Sequence, residues 1–137
     1  MDYLTNAINT KFLDSTLYNL LGGRAYFRKA VSNEYPHLVY TIVTGNPDNA
    51  FAKKGETILI QFSLYSTESA GNSAMQTLYN ALRTLLDDCT LTISAHTLAA
   101  FQWQGVVCMD EEVDALPDGS TTLLYWPVDF LLTIQDT

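Results

Sequence analysis

Residues 57–66 of this 137-residue chain read TILIQFSLYS, and this stretch decides the fold class. Apolar and polar side chains alternate along it. The apolar set is Ile58, Ile60, Phe62 and Leu64, and the opposite set includes Thr57, Gln61 and Ser63. Such alternation is typical of a strand with one buried and one wetter face. The stretch therefore predicts a sheet whose apolar face packs on a second layer.

Helical stripes flank this strand on both sides in the sequence. After it, apolar residues recur at three- and four-residue steps: Ala74, Met75, Leu78, Ala81, Leu82, Leu85 and Leu86. Asp87 and Asp88 then oppose the negative end of the helix dipole, so this terminus should be solvated or should face a cation. Before the strand, residues 2–21 predict two helical pieces, with a cap at Asp14 or Ser15 and a stop at Gly22 and Gly23.

The remaining strands are predicted from shorter signals. Residues 24–29 can form a short strand, and the segment after Pro36 alternates clearly. Residues 101–113 and 121–134 should pair as an antiparallel hairpin around the turn at 116–120. Pro127 lacks an amide donor, so we expect its strand to lie at a sheet edge or to carry a bulge.

The order of these elements predicts a single α+β domain over residues 1–137. We expect a mainly antiparallel sheet of about four strands, with helices packed on one face. Residues 46–55 should form a long hairpin loop. Its candidate interaction residues are Asn46, Asp48, Phe51, Lys53 and Lys54. Long loops in compact domains often contact partners, but this loop can equally be a merely variable connection.

Composition excludes several classes of function. Fifteen acidic residues against seven basic ones give a formal charge of −8, which argues against a surface built to grip nucleic acid. No segment approaches the about 20 apolar residues that span a bilayer, and the first residues do not resemble a signal peptide. We therefore expect a soluble protein without a membrane partner, made in a cytoplasm. Cys89 and Cys108 are interpreted as buried thiols.

The sequence predicts no catalytic residue, no cofactor and no metal site. His37 and His96 lie in no metal-ligand or triad spacing. The dipole at the end of a helix would raise the pKa of the Cys89 thiol, and no glycine-rich phosphate motif precedes a helix. One alternative function is that of a small ligand-binding α+β domain, because a pocket could be lined by Trp103, Trp126 and some of the eight tyrosines.

An acidic patch follows the first arm of the predicted hairpin. Its residues are Asp110, Glu111, Glu112 and Asp114. On a strand these side chains alternate across both faces, so they converge on a cation only if the chain bends. The simpler interpretation is a solvated strand edge that discourages aggregation.

Four segments, taken in order, resemble a known family. They are Leu20-Leu21-Gly22-Gly23-Arg24-Ala25-Tyr26, Tyr35-Pro36-His37-Leu38-Val39-Tyr40, residues 57–66 with the helix that follows, and Tyr125-Trp126-Pro127-Val128-Asp129-Phe130. Together they are similar to the tail-completion, or tail-terminator, proteins that join tail to head in long-tailed bacteriophages (siphophages). The resemblance covers nearly the whole chain.

The resemblance implies a virion structural protein and not an enzyme. Members form a ring, usually a hexamer, that caps the head-proximal end of the tail tube and docks it to the head. The implied partners are further copies of the chain, the tail-tube protein and a head-completion or connector protein. In isolation the chain can be monomeric. DNA would only pass through an acidic lumen, and Lys53 and Lys54 would reach an acidic neighbour. The implied location is the virion, after assembly in the host cytoplasm. A head-side adaptor or a tail-tube subunit is the alternative.

Overall fold

The computed structural model describes residues 2–13, 15–30, 34–48, 55–67, 70–93, 96–113, 119 and 121–136. Within these ranges the chain forms three helices and six strands. In chain order they are α1 (Asp2–Phe12), α2 (Thr16–Leu20), β1 (Ala25–Phe27), β2 (His37–Asp48), β3 (Gly55–Thr67), α3 (Gly71–Leu86), β4 (His96–Val106), β5 (Met109–Glu112) and β6 (Thr122–Asp136). In this part of the chain, no helix combines the length and apolar character needed to cross a membrane.

The six strands form one sheet, which confirms the α+β class and corrects the predicted size. The strand order is β1-β2-β3-β6-β4, and β5 also pairs with β6. All pairings are antiparallel except that of β1 with β2, which is parallel. The expectation of about four strands is wrong because the predicted arm over residues 101–113 belongs to two strands, β4 and β5, and residues 25–27 pair as a further strand.

The core lies between one face of the sheet and all three helices. The alternation of β3 is confirmed, since Ile58, Ile60, Phe62 and Leu64 are fully buried. They belong to a single apolar cluster with residues from every helix, for example Ile8, Leu17 and Leu82. We call the sheet face away from this cluster the open face.

The N-terminal helices end and begin as their sequence predicts. The Ser15 hydroxyl accepts a hydrogen bond from the Tyr18 amide at 3.1 Å, which caps α2. The chain leaves α2 through Gly22 and Gly23, whose φ angles of 62° and 80° suit glycine. This turn sends the chain directly into β1, alongside β2.

Pro127 lies in the middle of the sheet, not at its edge. It belongs to β6, which pairs with β3 on one side and with β4 and β5 on the other, without a register shift at this residue. The Val107 amide donates to the Pro127 carbonyl at 3.1 Å, so the missing proline N–H faces the break between β4 and β5. The break replaces the predicted edge or bulge.

The predicted hairpin loop is shorter than residues 46–55. Asn46 pairs with Thr57 and Asp48 pairs with Gly55, so both ends of the expected loop belong to the β2–β3 ladder. β1 pairs only with residues 38–40, which leaves the distal part of β2 without a described neighbour on its outer side. Turn-type residues are tolerated in such an edge position.

Candidate assembly surfaces

The acidic patch forms the exposed strand β5. Asp110, Glu111 and Glu112 are all exposed, and Asp114 lies outside the described residues. Asp110 lies opposite Leu124 and Glu112 opposite Thr122, while Glu111 lies opposite Leu123. Because alternate residues point to opposite faces, the three carboxylates do not converge. Among the described residues no group of three or more His, Cys, Asp or Glu could hold a metal ion.

The candidate interaction loop is only partly described. Asn46 and Asp48 lie in β2, where their backbones pair with β3. Phe51, Lys53 and Lys54 lie outside the described residues. The structure therefore does not bring these five residues together as a surface, and their contact role stays a prediction.

His37 begins β2 on the open face, within a row of aromatic side chains. Its ring lies 4.9 Å from the ring of Tyr65, which in turn stacks on Tyr125 at 4.8 Å with an interplanar angle of 8°. Tyr35 lies 4.8 Å from the His37 ring on the other side. We call these four residues the aromatic row. Periodicity placed Tyr65 and Tyr125 on strands, but only the strand register aligns them with His37.

Burial shifts the pKa values of two groups in the aromatic row. Desolvation lowers the pKa of His37, and a hydrogen bond between its Nδ1 and the Glu34 carbonyl at 2.9 Å acts in the opposite direction. Desolvation, followed by the neighbouring Tyr125, raises the pKa of Tyr65 to about 12. Both shifts favour the neutral forms of His37 and Tyr65.

His37→Gln is expected to weaken the loss of stability on mild acidification. The folded-state pKa of His37 lies below its ordinary value of 6.5. Just below pH 6.5, His37 therefore binds a proton in the unfolded chain but not in the folded one. This difference lowers the free energy of unfolding as the pH falls through that window. Urea unfolding at about pH 7.5 and about pH 5.5 measures the dependence in both proteins. Equal losses in the wild type and the variant would contradict it.

The other candidate chemical residues pack structurally. The His96 ring stacks on Tyr3 at 4.1 Å with an interplanar angle of 10°, in a depression of about 610 Å³ that Asp88 and Cys89 also line. Trp126 is buried and meets Tyr79 edge to face. Trp126, one of the residues that suggested a ligand-binding domain, is therefore part of the core.

The two cysteines, both predicted to be buried, differ in exposure. Cys89 is half-buried, and desolvation is the main cause that raises the pKa of its thiol, ahead of nearby charges. Cys108 is exposed, so its prediction as a buried thiol is wrong. It lies in the break between β4 and β5, at the outer edge of the sheet.

One outer edge of the sheet is covered along β4. The Asp88 amide donates to the Phe101 carbonyl at 2.8 Å, and the Trp103 amide donates to Asp87 Oδ1 at 3.1 Å. Asp87 also lies 3.5 Å from Arg83, which resolves the expectation for the end of α3: this carboxylate faces a cation and a strand amide. These contacts occupy backbone groups that would otherwise be open to another strand.

The edge along β5 has no such cover in the described chain. The Val107 and Val113 amides donate to carbonyls of β6 and of the residue just before it. In an antiparallel ladder the intervening residues, Cys108, Asp110 and Glu112, therefore direct their backbone groups outward. Val107 and Met109 add exposed apolar side chains, 56% and 39% exposed.

The opposite edge, along β1, carries basic residues. The Arg24 carbonyl and the Arg28 amide bond to β2, so Ala25 and Phe27 direct their amides outward. Arg28 and Lys29, which directly follow β1, are exposed. A groove of about 310 Å³ runs beside this edge; it is lined in part by Phe12, Leu13, Ala25, Phe27 and Lys29.

One comparison with known proteins identifies a family, and another identifies solved structures that share the fold. The family model described as tail completion protein gp17 matches residues 13–119. A chain from the virion of a native gene transfer agent particle has 14% identity and a TM-score of 0.68, covering 96% of this chain and 94% of its own. A second solved chain has 10% identity and a TM-score of 0.59, covering 99% and 94%. At these identities the likeness shows a shared fold. No curated protein matches significantly.

Proposed function

Since the chain belongs to the tail completion protein gp17 family, we propose that it caps the head-proximal end of a phage tail tube and joins the tail to the head. The family match carries this proposal. It supports a structural role in the tail of a phage-like particle, and the fold shared with a chain of a gene transfer agent virion agrees with that role.

In this role several copies form a closed ring, which we propose to be a hexamer in the virion. A ring needs two different surfaces on each copy, because each subunit contacts one neighbour on each side. The sheet supplies two edges of different charge, β1 and β5, as well as an open face. The further partners are the tail-tube protein below the ring and a connector or head-completion protein above it.

The charge of the chain is compatible with a DNA passage. At −8 per copy, a ring repels phosphate groups rather than binding them, so DNA can move through the lumen without adhering. The candidate interaction loop would contact one of the axial partners. Acidic residues that line the lumen and acidic residues that only aid solubility would occupy different positions in the ring. A reconstruction of the virion would show these positions.

Deleting the gene is expected to leave filled heads and unjoined tails, many of them too long. The physical reason is that tail subunits continue to add to an uncapped tube, and the head lacks the surface to which the tube docks. Electron microscopy of lysates measures joined particles and tail lengths. The wild-type gene supplied in trans is the control and should restore joined particles of normal length.

Normal, joined particles from the deletion strain would contradict the proposal. Tubes of normal length beside empty or unfilled heads would favour the head-side adaptor instead. Labelling the protein in intact virions separates these assignments further, because a cap occupies a single level and a tail-tube subunit is repeated along the tail.

A further inference from the structure

We propose that neighbouring copies join by strand addition, with the β5 edge of one copy pairing with the β1 edge of the next. This inference rests on the proposed ring and names the surfaces that form it. The occupant of each edge is therefore a second copy of this chain. Three features carry the proposal: open backbone groups on both edges, opposite charges, and a groove beside β1.

The open backbone groups supply the pairing. Along the β5 edge, Cys108 just before the strand and Asp110 and Glu112 within it direct amides and carbonyls away from β6, and no described strand lies beyond them. On β1, Ala25 and Phe27 direct their amides away from β2. Strand addition satisfies such groups and gives affinity through main-chain hydrogen bonds. On the same side of the sheet, Asp88 and Asp87 bond to the backbone of Phe101 and Trp103 in β4, so β5 is the less protected part of that side.

Charge decides which edges can meet. Two β5 edges would place Asp110, Glu111 and Glu112 against the same three carboxylates, and two β1 edges would place Arg28 and Lys29 against their own kind. Like charges directly opposite each other destabilise strand pairs, and opposite charges stabilise them. Only the mixed pairing of β5 with β1 brings opposite charges together. The contact is therefore head-to-tail, which is the type that generates rings.

The groove beside β1 accommodates the added strand. Leu13 on its wall is 57% exposed, and the half-buried Phe27 adds apolar surface. Lys29 lines the same groove, so a cationic side chain is available there for the carboxylates of an incoming β5. The Arg28 guanidinium lies over the Phe27 ring at 5.2 Å and remains exposed. Apolar contact and ion pairing are thus available at one place.

Charge exchange at the two edges tests the pairing. One variant carries Asp110→Lys and Glu112→Lys, which changes the formal charge from −8 to −4. The other carries Arg28→Asp and Lys29→Glu, which changes it from −8 to −12. Aspartate is chosen at position 28 because φ there is 70°, a conformation that Asp tolerates better than most residues. Circular dichroism confirms that each variant is folded.

Sedimentation velocity at rising concentration, up to about 1 mM, gives the readout. Each variant alone should associate at least about tenfold more weakly than the wild type. A 1:1 mixture of the two should associate again, because each acidic edge then meets a basic one. A fourfold variant that carries all four substitutions should associate by itself, and its net charge equals that of the wild type. Added salt should weaken every one of these associations.

The proposal is overturned if both variants associate like the wild type, or if neither the mixture nor the fourfold variant regains association. A wild-type chain that stays monomeric at every concentration overturns it too. Net charge cannot explain the expected pattern, since the two variants shift it in opposite directions. None of these results changes the phenotype of the gene deletion, so failure of the edge pairing and failure of the tail-capping role are distinguishable.

Discussion

Phe62→Ala is expected to lower the free energy of unfolding by about 3–5 kcal/mol. Phe62 is fully buried in β3, at the centre of the aromatic part of the core. Its ring centroid lies 5.5 Å from those of Tyr40 and Phe130 and 6.0 Å from that of Phe12. These partners come from α1, β2 and β6, so the cavity cannot close without moving several elements.

Urea unfolding measures the effect as a lower midpoint at an unchanged slope. Leu59→Ala is the matched control, because Leu59 lies three residues away in the same strand, half-buried on the open face. Its truncation removes less buried apolar surface and should cost clearly less. Equal losses for the two variants would show that the open face is packed as tightly as the core and would contradict this account.

Asp87→Ala is expected to cost about 2 kcal/mol, chiefly because it removes a charged acceptor from a strand amide. The Trp103 amide donates to Asp87 Oδ1 at 3.1 Å, and the residue also ends α3. The Arg83 guanidinium, 3.5 Å from the carboxylate, lies 4.0 Å above the Trp103 ring. The ion pair itself adds little, because both side chains are about one third exposed.

Asp87→Asn separates these contributions. The amide side chain keeps an oxygen for the Trp103 N–H and loses the charge that faces Arg83, so it should recover most of the stability. Thermal and urea unfolding of both variants provide the measurement. If Asp87→Asn proves as unstable as Asp87→Ala, the charge outweighs the hydrogen bond and this interpretation is wrong.

Local sequence patterns correctly predicted the elements that pack directly on the core or depend on neighbouring backbone groups. The alternation of β3 and the stripe of α3 both face the single core, so periodicity alone places their buried residues. The cap at Ser15 and the stop at Gly22 depend on backbone groups only a few residues away. For such elements the neighbouring sequence contains the physical cause of the structure.

Long-range pairing was beyond the same patterns. The parallel pairing of β1 with β2 is not encoded by either segment alone, and Pro127 indicated an edge or a bulge, although β6 is central and has no register shift at this residue. Asn46 and Asp48 are typical turn residues, yet the ladder with β3 extends through them. In each case a partner distant in sequence or a favourable edge position overrides the local preference.

The candidate surfaces follow the same division. The acidic patch could be located from the sequence because charge is visible in it, and three of its residues, Asp110, Glu111 and Glu112, lie on strand β5. The aromatic row and the opposite charges of the two sheet edges depend on strand order, which only the structure supplies. The roles assigned to the acidic patch and to the candidate interaction loop stay predictions.

Pro127 has a mechanical consequence for the tip of the sheet. Because this residue contributes no N–H, the ladder between β6 and its outer neighbours lacks one bond at the point where β4 ends and β5 begins. β5 is then held to β6 by only four residue pairs of its own, while β6 stays paired with β3 throughout. Short, locally bonded segments open at lower free energy than the core. We therefore expect β5 to open locally at a lower free energy than the central pairing of β3 with β6.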